Sequence, residues 1–384
     1  MTGYNQDEKF MMRCLDLALQ GMGMAAPNPM VGAVLVHDRN IIGEGFHQGF
    51  GKAHAEVNAL EKFNNVALPD RSCLYVNLEP CSHHGKTPPC TDLIIKKKIS
   101  RIVIGTIDPN ILVAGKGKAL LQNNGAEVIT GILEKECRHI NRRFFSWHQK
   151  QRPYIILKWA RSADGFIDFD RPADAPVGPN WITSLTARTL VHKWRSEEQA
   201  ILVGTNTVKK DNPMLNVRYW SGNDPLRIII DRRLSLGKNS HVFDNSRNTV
   251  VFTETGWPEK PETTAAVQKQ KPTRTITSTV NHETSGKTQD PTSTRYVNIN
   301  FDQAVELQIL DFLYRENIQS VIIEGGAFTL NSFINKNLWD EARIFTGTVL
   351  FRKGIRSPEI TGTEICSRQT GNSILQVIYN NSGL

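Results

Sequence analysis

The 384-residue sequence contains no run of about 18 apolar residues, so no membrane-spanning helix is expected. Cysteine is scarce. Six residues (Cys14, Cys73, Cys81, Cys90, Cys137 and Cys366) are scattered too thinly for a disulfide framework, which leaves metal ligation or burial as their expected uses. The opening MTGYNQDEKF lacks the basic-then-apolar order of a secretion signal, and a cytoplasmic location is the expectation. Neither the dinucleotide fingerprint G-x-G-x-x-G nor a phosphate loop of the nucleotide-kinase type occurs. Gly115-Lys116-Gly117 has the spacing of neither, and Glu324-Gly325-Gly326 alone is a weak signal. No fixed-period repeat is present. What remains is 39% hydrophobic and 22% charged residues, the balance of a globular protein. The length exceeds what one ordinary core serves, so two domains are expected. A formal net charge of +8 suits nucleic-acid binding or phosphate-bearing small ligands equally well.

Hydrophobic periodicity predicts a first amphipathic helix over 7–20 and two short strands within 33–46 around an Asp-Arg-Asn turn. A helix follows from His54 to Phe63, then a strand over 73–80, a loop rich in His, Gly and Pro, a helix over 92–99 and a strand over 101–108. Helices near 116–124 and 133–145 flank a further strand. This alternation predicts a three-layer α/β domain over 1–148. The apolar segment PYIILKWA restarts the pattern, and a second α/β domain is expected over 149–384. Its elements include a helix around 186–197, strands at 199–204, 226–231, 249–253 and 320–326, and a helix at 302–316. Residues 256–294, dominated by Thr, Lys, Pro, Gln and Ser, cannot bury enough apolar surface to offset their ordering entropy and are expected to form a mobile surface insertion.

The strongest chemical signal is His54-Ala55-Glu56 followed by Pro80-Cys81 and Cys90. One imidazole and two thiolates make a three-ligand zinc set whose fourth position stays open, as a catalytic zinc requires. Glu56, two residues from His54, stands roughly 200° around an ideal helix. That spacing disfavours it as a second ligand and suits it to carry a proton between water and a leaving amine. Cys90 precedes an apolar helix whose N-terminus favours a thiolate. A closed structural zinc site would need a fourth protein ligand, for which His83 and His84 are candidates. The order H-x-E, P-C and a further Cys also matches a deaminase signature.

The chain resembles the bifunctional riboflavin-biosynthesis deaminase/reductase family. The matching strings are Ala26-Pro27-Asn28-Pro29 with Val31-Gly32-Ala33, His54-Ala55-Glu56, LEPCSHHGKTPPC over 78–90, and DPNILVAGKG over 108–117. Eight residues separate the two cysteines, where general nucleoside deaminases place two. Lys86 departs from the family's usual Arg and keeps the charge without the bidentate fork. The resemblance implies a cytidine-deaminase-like N-terminal fold and a phosphorylated pyrimidine substrate, 2,5-diamino-6-(5-phosphoribosylamino)pyrimidin-4(3H)-one. It also makes Asn28 a substrate-contacting amide, although Asn between prolines is also good turn chemistry.

In the second half the residues alone show little beyond α/β alternation. The resemblance extends through Lys158-Trp159-Ala160-Arg161-Ser162-Ala163-Asp164-Gly165 and Trp181-Ile182-Thr183-Ser184 with Ala187-Arg188. It continues through Gly204, Thr207, Asp211-Asn212-Pro213, Leu215 and Arg218 to Ile323-Glu324-Gly325-Gly326. It implies a dihydrofolate-reductase-like fold using NADPH, with Ala160, Trp181, Thr207, Asp211 and Gly326 at the cofactor and Lys158, Arg195, Leu215, Arg218 and Glu324 at the substrate. The arginines suit phosphate because a guanidinium offers a bidentate fork, and Gly325-Gly326 lets backbone approach a cofactor phosphate. Read singly, Leu215 also fits a core, Trp181 a packing aromatic and Arg195 a helix-surface charge. Pro179 stands where the family carries a small polar residue, and the loop from Asp164 to Trp181 is long. These departures keep open an enzyme with only its deaminase active.

The resemblance further implies a homo-oligomer, with no membrane and no nucleic-acid partner. A nucleic-acid deaminase would share the zinc chemistry but predicts the short P-C-x-x-C interval and aromatic-basic strips, and neither is evident. A non-catalytic zinc or nucleic-acid-binding module is suggested by charge alone.

Overall fold

A computed structural model describes residues 5–83, 88–111, 113–172, 174–254 and 293–381. His84, Lys86 and all of the 256–294 stretch except Ser293 and Thr294 lie outside the described residues.

The first half contains α1 (Gln6–Leu19), β1 (Gly32–His37), β2 (Asn40–Phe46), α2 (Ala55–Ala59), β3 (Cys73–Leu78), α3 (Cys90–Lys96), β4 (Arg101–Thr106), α4 (Lys116–Asn123), β5 (Glu127–Thr130), α5 (Glu134–Ile140) and α6 (Arg142–Lys150). The strands form a sheet in the order β2-β1-β3-β4-β5, with β1 antiparallel to both its neighbours and β3, β4 and β5 parallel. The expected Asp-Arg turn is a tight hairpin in which Asp38 and Arg39 both take positive φ, as two-residue hairpin loops demand. Apolar side chains from α1 and α5 fill one side of the sheet, and those from α2, α3 and α4 fill the other.

Two helices differ from their expected extent. The helix expected over 54–63 is α2 alone, followed by a single 3-10 turn over Glu61–Phe63. The helix expected over 133–145 breaks at Asn141. Its side chain accepts from Met30 N (2.8 Å) and donates to Met30 O (2.9 Å), a tertiary demand that outweighs local continuity. Position 148 falls within α6.

The second half contains β6 (Tyr154–Arg161), β7 (Phe166–Phe169), α7 (Leu185–Glu197), β8 (Ala200–Gly204), α8 (Thr205–Asp211), β9 (Leu226–Ile230), β10 (Thr249–Thr253), β11 (Thr294–Asn298), α9 (Val305–Arg315), β12 (Ser320–Ile323), α10 (Ala327–Asn335), β13 (Glu341–Thr346), β14 (Gly354–Arg356), β15 (Thr363–Thr370) and β16 (Ser373–Tyr379). Among the described residues the main sheet runs β11-β10-β9-β8-β12-β6-β13-β16-β15. It is parallel from β11 to β13 and antiparallel beyond, while β7 and β14 pair separately. The near-continuous apolar runs of β6, β8 and β12 follow from burial on both faces. The C-terminal ends of β6, β8, β9 and β12 open into one cavity of about 1200 Å³, the usual ligand position in an open parallel sheet. Among the described residues no helix is long and apolar enough to cross a membrane.

Candidate active sites

The first site assembles at the ends of β3, α2 and α3. His54 Nδ1, Cys81 Sγ and Cys90 Sγ all lie within 4.8 Å of one another, and among the described residues no other such group of metal-ligating side chains occurs. His54 Nδ1 stands 3.2 Å from Cys90 Sγ and 3.5 Å from Cys81 Sγ. Ligands on one tetrahedral zinc with ordinary bond lengths are about 3.5–3.8 Å apart. Donor chemistry and spacing therefore fit a zinc ion held by three protein ligands. His83, the described candidate for a fourth, is exposed and outside the cluster.

Local structure explains the convergence. His54 is the N-cap of α2 with extended backbone (ψ 162°), so the helical-wheel relation to Glu56 does not hold; the turn into the helix sets their separation. Glu56, 3% exposed, sits in the first turn. Burial, and after it the neighbouring Cys81 sulfur, push its carboxyl pKa up. Cys90 opens α3, yet its backbone N–H donates to Cys81 Sγ (3.3 Å), so the helix N-terminus favours the thiolate of the other cysteine. The Cys90 thiol also hydrogen-bonds Cys81, which holds Cys81 down at about 4, while the shared proton and burial push Cys90 up.

Asn28 lies beside this cluster. Its Nδ2 is 3.0 Å from His47 Nε2, and His47 Nδ1 is 3.0 Å from Ala53 O. With Nδ1–H donating to that carbonyl, Nε2 accepts from the amide, so His47 does not engage Asn28 Oδ1. His47, edge-on to His54 with ring centroids 5.5 Å apart, was not apparent from the sequence; a lone His in a Gly-rich stretch carries no spacing signal. The buried Glu79 was missed as well. Its carboxylate accepts the N–H groups of Asp108 (3.2 Å), Gly115 (2.9 Å) and Lys118 (3.0 Å), which ties the 108–118 loop to Pro80-Cys81.

The second site is the cavity. All ten residues expected there line it: Lys158, Ala160, Trp181, Arg195, Thr207, Asp211, Leu215, Arg218, Glu324 and Gly326. Their engagements differ from expectation. Arg195 has its fork on Glu324 (3.0 and 2.7 Å) and its third nitrogen on Asn216 O (3.1 Å), so three of its five N–H donors are engaged within the protein. Lys158 lies 3.6 Å from the same carboxylate. Burial lowers the Lys158 pKa, whereas Glu324, which burial alone would raise, is held at about 2 by Arg195 and Lys158. Asp211 pairs with Arg171 (2.7 Å), which also takes Asp168 and the carbonyls of Gly178 and Lys210. Arg171 was not singled out from the sequence. Gly326 N donates to Thr207 Oγ1 (2.8 Å), and a Cβ at Gly325 would sit 3.0 Å from Gly204 N. The β12–α10 turn thus packs directly on the β8–α8 turn and presents the α10 N-terminus to the cavity, a fit for the phosphates of NADPH. Leu215 is both lining and core: 2% exposed, it packs with Ile201, Val203 and Val208. Trp181 is half-exposed beneath the guanidinium of Arg188. Pro179 lines the cavity, and its neighbour Asn180 donates to Asp168 (2.7 Å).

Residues 4–106 match the cytidine and deoxycytidylate deaminase zinc-binding region, and residues 153–359 match the RibD C-terminal domain. The riboflavin biosynthesis protein RibD of Aquifex aeolicus is 37% identical over 91% of this chain and 89% of its own, and that of Bacillus amyloliquefaciens is 35% identical over 93% and 88%. The crystal structure of a diaminohydroxyphosphoribosylaminopyrimidine deaminase/5-amino-6-(5-phosphoribosylamino)uracil reductase from Thermotoga maritima superposes with a TM-score of 0.80 at 35% identity, covering 98% of this chain and 99% of that one. The two halves accordingly have the cytidine-deaminase-like and dihydrofolate-reductase-like folds expected. The chain belongs to the RibD family of riboflavin-biosynthesis enzymes, in which a zinc-dependent deaminase and an NADPH-dependent reductase share one polypeptide.

Proposed function

We propose that residues 1–148 hydrolyse 2,5-diamino-6-(5-phosphoribosylamino)pyrimidin-4(3H)-one to the uracil and ammonia, and that residues 149–384 reduce its ribosyl group to ribityl. The observation that carries the reading is the convergence of His54, Cys81 and Cys90 beside the buried Glu56. Zinc held by the three ligands supplies Lewis acidity that makes water nucleophilic near neutral pH. Glu56 takes a proton from that water and delivers it to the leaving amine, so the C–N bond breaks as C–O forms. Asn28 orients the pyrimidine through the amide oxygen that His47 leaves unengaged.

In the cavity, NADPH supplies the hydride. Bound there, the cofactor would deliver it to the ribosyl carbon bearing the amine, opening the ring to ribityl with a proton taken up at the ring oxygen. Ala160, Trp181, Thr207, Asp211 and the Gly326 turn border the cofactor, while Lys158, Arg195, Leu215, Arg218 and Glu324 border the substrate. The Lys158–Glu324–Arg195 cluster supports this division, since it places charged groups of both signs beside the glycine turn. A cytoplasmic location and homo-oligomeric assembly complete the proposal.

The test is a coupled assay on the full chain, with ammonia release and NADPH consumption recorded separately and zinc measured on each sample. Glu56→Gln is expected to keep one zinc per chain, lose at least about a hundredfold in deamination, and still consume NADPH when given the deaminated intermediate. Unchanged ammonia release would remove Glu56 from its role. Ammonia release without NADPH consumption in the unsubstituted enzyme would leave the deaminase alone active.

A further inference from the structure

Asn28 is carried by the segment joining α1 to β1, and the supports of that segment come from both halves of the chain. Met30 is fixed within the deaminase half. Its N–H donates to Asn141 Oδ1 (2.8 Å), and its carbonyl accepts from Asn141 Nδ2 (2.9 Å) and Asn77 Nδ2 (3.1 Å). Pro27, the residue before Asn28, is fixed from the reductase half, where Gln319 Nε2 donates to its carbonyl oxygen (2.6 Å). Proline has no N–H, so that carbonyl is its one backbone hydrogen-bonding group.

The frame behind Gln319 is rigid. The residue is 4% exposed and stands immediately before β12. Its N–H donates to Gln199 Oε1 (2.7 Å), and its carbonyl accepts from Tyr154 N (2.8 Å), which ties it to the starts of β8 and β6. Glu324 and the reductase cavity lie at the other end of β12. A second contact backs the same segment. A Cβ at Gly23 would lie 2.3 Å from Ser196 O on α7, and Asn223 Nδ2 stands 3.5 Å from Gly23 O.

The carbonyl of Pro27 and the N–H of Asn28 belong to one planar peptide unit. That N–H donates to Ala25 O (2.9 Å), so the unit is bonded at both ends. Fixing its plane fixes the direction in which the Asn28 side chain leaves the backbone, and His47 then sets the amide.

We propose that Gln319 is a positioning residue for the deaminase reaction: the reductase half, through Pro27, aims the Asn28 amide at the pyrimidine. The inference rests on the deaminase reading given above, in which Asn28 orients that ring. The deaminase site is thus completed by a residue of the other half.

The test is a double-mutant cycle on the full chain, with ammonia release from the diaminopyrimidine phosphate as the readout. Gln319→Met keeps the side-chain volume and removes the donor. It is expected to raise the KM for deamination roughly three- to tenfold, the worth of one hydrogen bond. The kcat should stay within about twofold, because the ring contact is made before and during the reaction alike. Zinc should remain at one per chain, and NADPH consumption with the deaminated intermediate should be unchanged. Asn28→Ala should raise the same KM, and adding Gln319→Met to it should raise it no further. Multiplying effects in the double variant would make Gln319 a structural prop and overturn the proposal, as would an unaltered KM in Gln319→Met. Gln319→Asn, whose amide is drawn back by one methylene, should behave alike and serves where Gln319→Met fails to fold. Hydrogen exchange over residues 24–30, which needs no turnover, should quicken in either variant, and unchanged exchange would overturn the proposal. An unaltered KM in Asn28→Ala would sink the reading of Asn28 and the proposal with it. Should the unsubstituted chain release no ammonia, the deaminase reading falls, while hydrogen exchange still decides whether Gln319 holds the segment.

Discussion

At the scale of single residues, Gly117 shows how closely the deaminase site depends on its surroundings. It sits in the first turn of α4, where a Cβ would lie 2.2 Å from the Pro80 carbonyl oxygen and 3.2 Å from Glu79 Oε1. Neither neighbour can give way, because Pro80 precedes a zinc ligand and Glu79 anchors three backbone N–H groups of the same loop. Gly117→Ala should push Pro80-Cys81 out of register with His54 and Cys90. The expected outcome is zinc content well below one per chain and a loss of about 1–3 kcal/mol in stability, the usual range for overpacking, read by metal analysis and urea unfolding. Gly115→Ala is the contrast: its φ of +75° imposes backbone strain but its Cβ meets nothing, so zinc should be retained. Full zinc and full stability in Gly117→Ala would refute the argument. The metal ligands were legible because His-x-Glu, common by chance when alone, is followed in order by Pro-Cys and a further Cys, an arrangement with a chemical reason. Glu79 and His47 were not, since each works through backbone groups distant in sequence.

Among the elements, Arg171 ties the segment joining β7 to α7 to its neighbours at several points. Arg171 clamps Asp168 at the end of β7, Asp211 at the end of α8, and the carbonyls of Gly178 and Lys210. The clamp offsets part of the entropy lost in ordering the loop. Asp211, which burial pushes up in pKa despite Arg171, is thereby fixed at the cavity edge. Arg171→Ala should release the loop and raise the KM for NADPH about tenfold, while ammonia release from the deaminase stays unchanged. Steady-state assays of each half-reaction check this, and an unaltered NADPH response would mean that the loop does not shape the cofactor site. The sequence could not announce the clamp, because its partners come from three separate segments. Strands with uniform burial fared better: β6, β8, β9, β10 and β12 are apolar runs that periodicity finds. Beyond Gly326 the reading stopped, although α10 and β13–β16 follow. β15 alternates weakly and is exposed along most of its length at the sheet edge, so it lacks the pattern that marks a half-buried strand.

For the whole molecule, the decisive feature is a charge cluster where the two sheets' helices meet. Arg143 on α6 forms a buried bidentate pair with Glu198 just after α7, and Arg343 on β13 reaches both Glu198 (3.9 Å) and Glu341 (2.6 Å). Arg142 adds a further contact to Glu341 (3.4 Å). The loop carrying Asn28 is tied across the same seam, since Gln319 Nε2 donates to Pro27 O (2.6 Å), one residue before Asn28. Removing one partner of such a pair strands a buried charge, so Arg143→Met should cost about 3–5 kcal/mol. The double substitution Arg143→Met with Glu198→Leu should recover most of that in urea unfolding. Acid should act on the same cluster. Burial alone would raise Glu198 and Glu341, but Arg143 and Arg343 outweigh it, placing Glu198 below its usual range and Glu341 at about 2. Their unfolded-state value is near 4.5, so between these limits the unfolded chain binds more protons than the folded one. The stabilisation is therefore complete above about pH 4.5 and is lost as pH falls toward 2. Unfolding free energy measured across that window should fall steeply in the native chain and less steeply in the double variant. Parallel profiles would show that the seam is held by its apolar contacts instead.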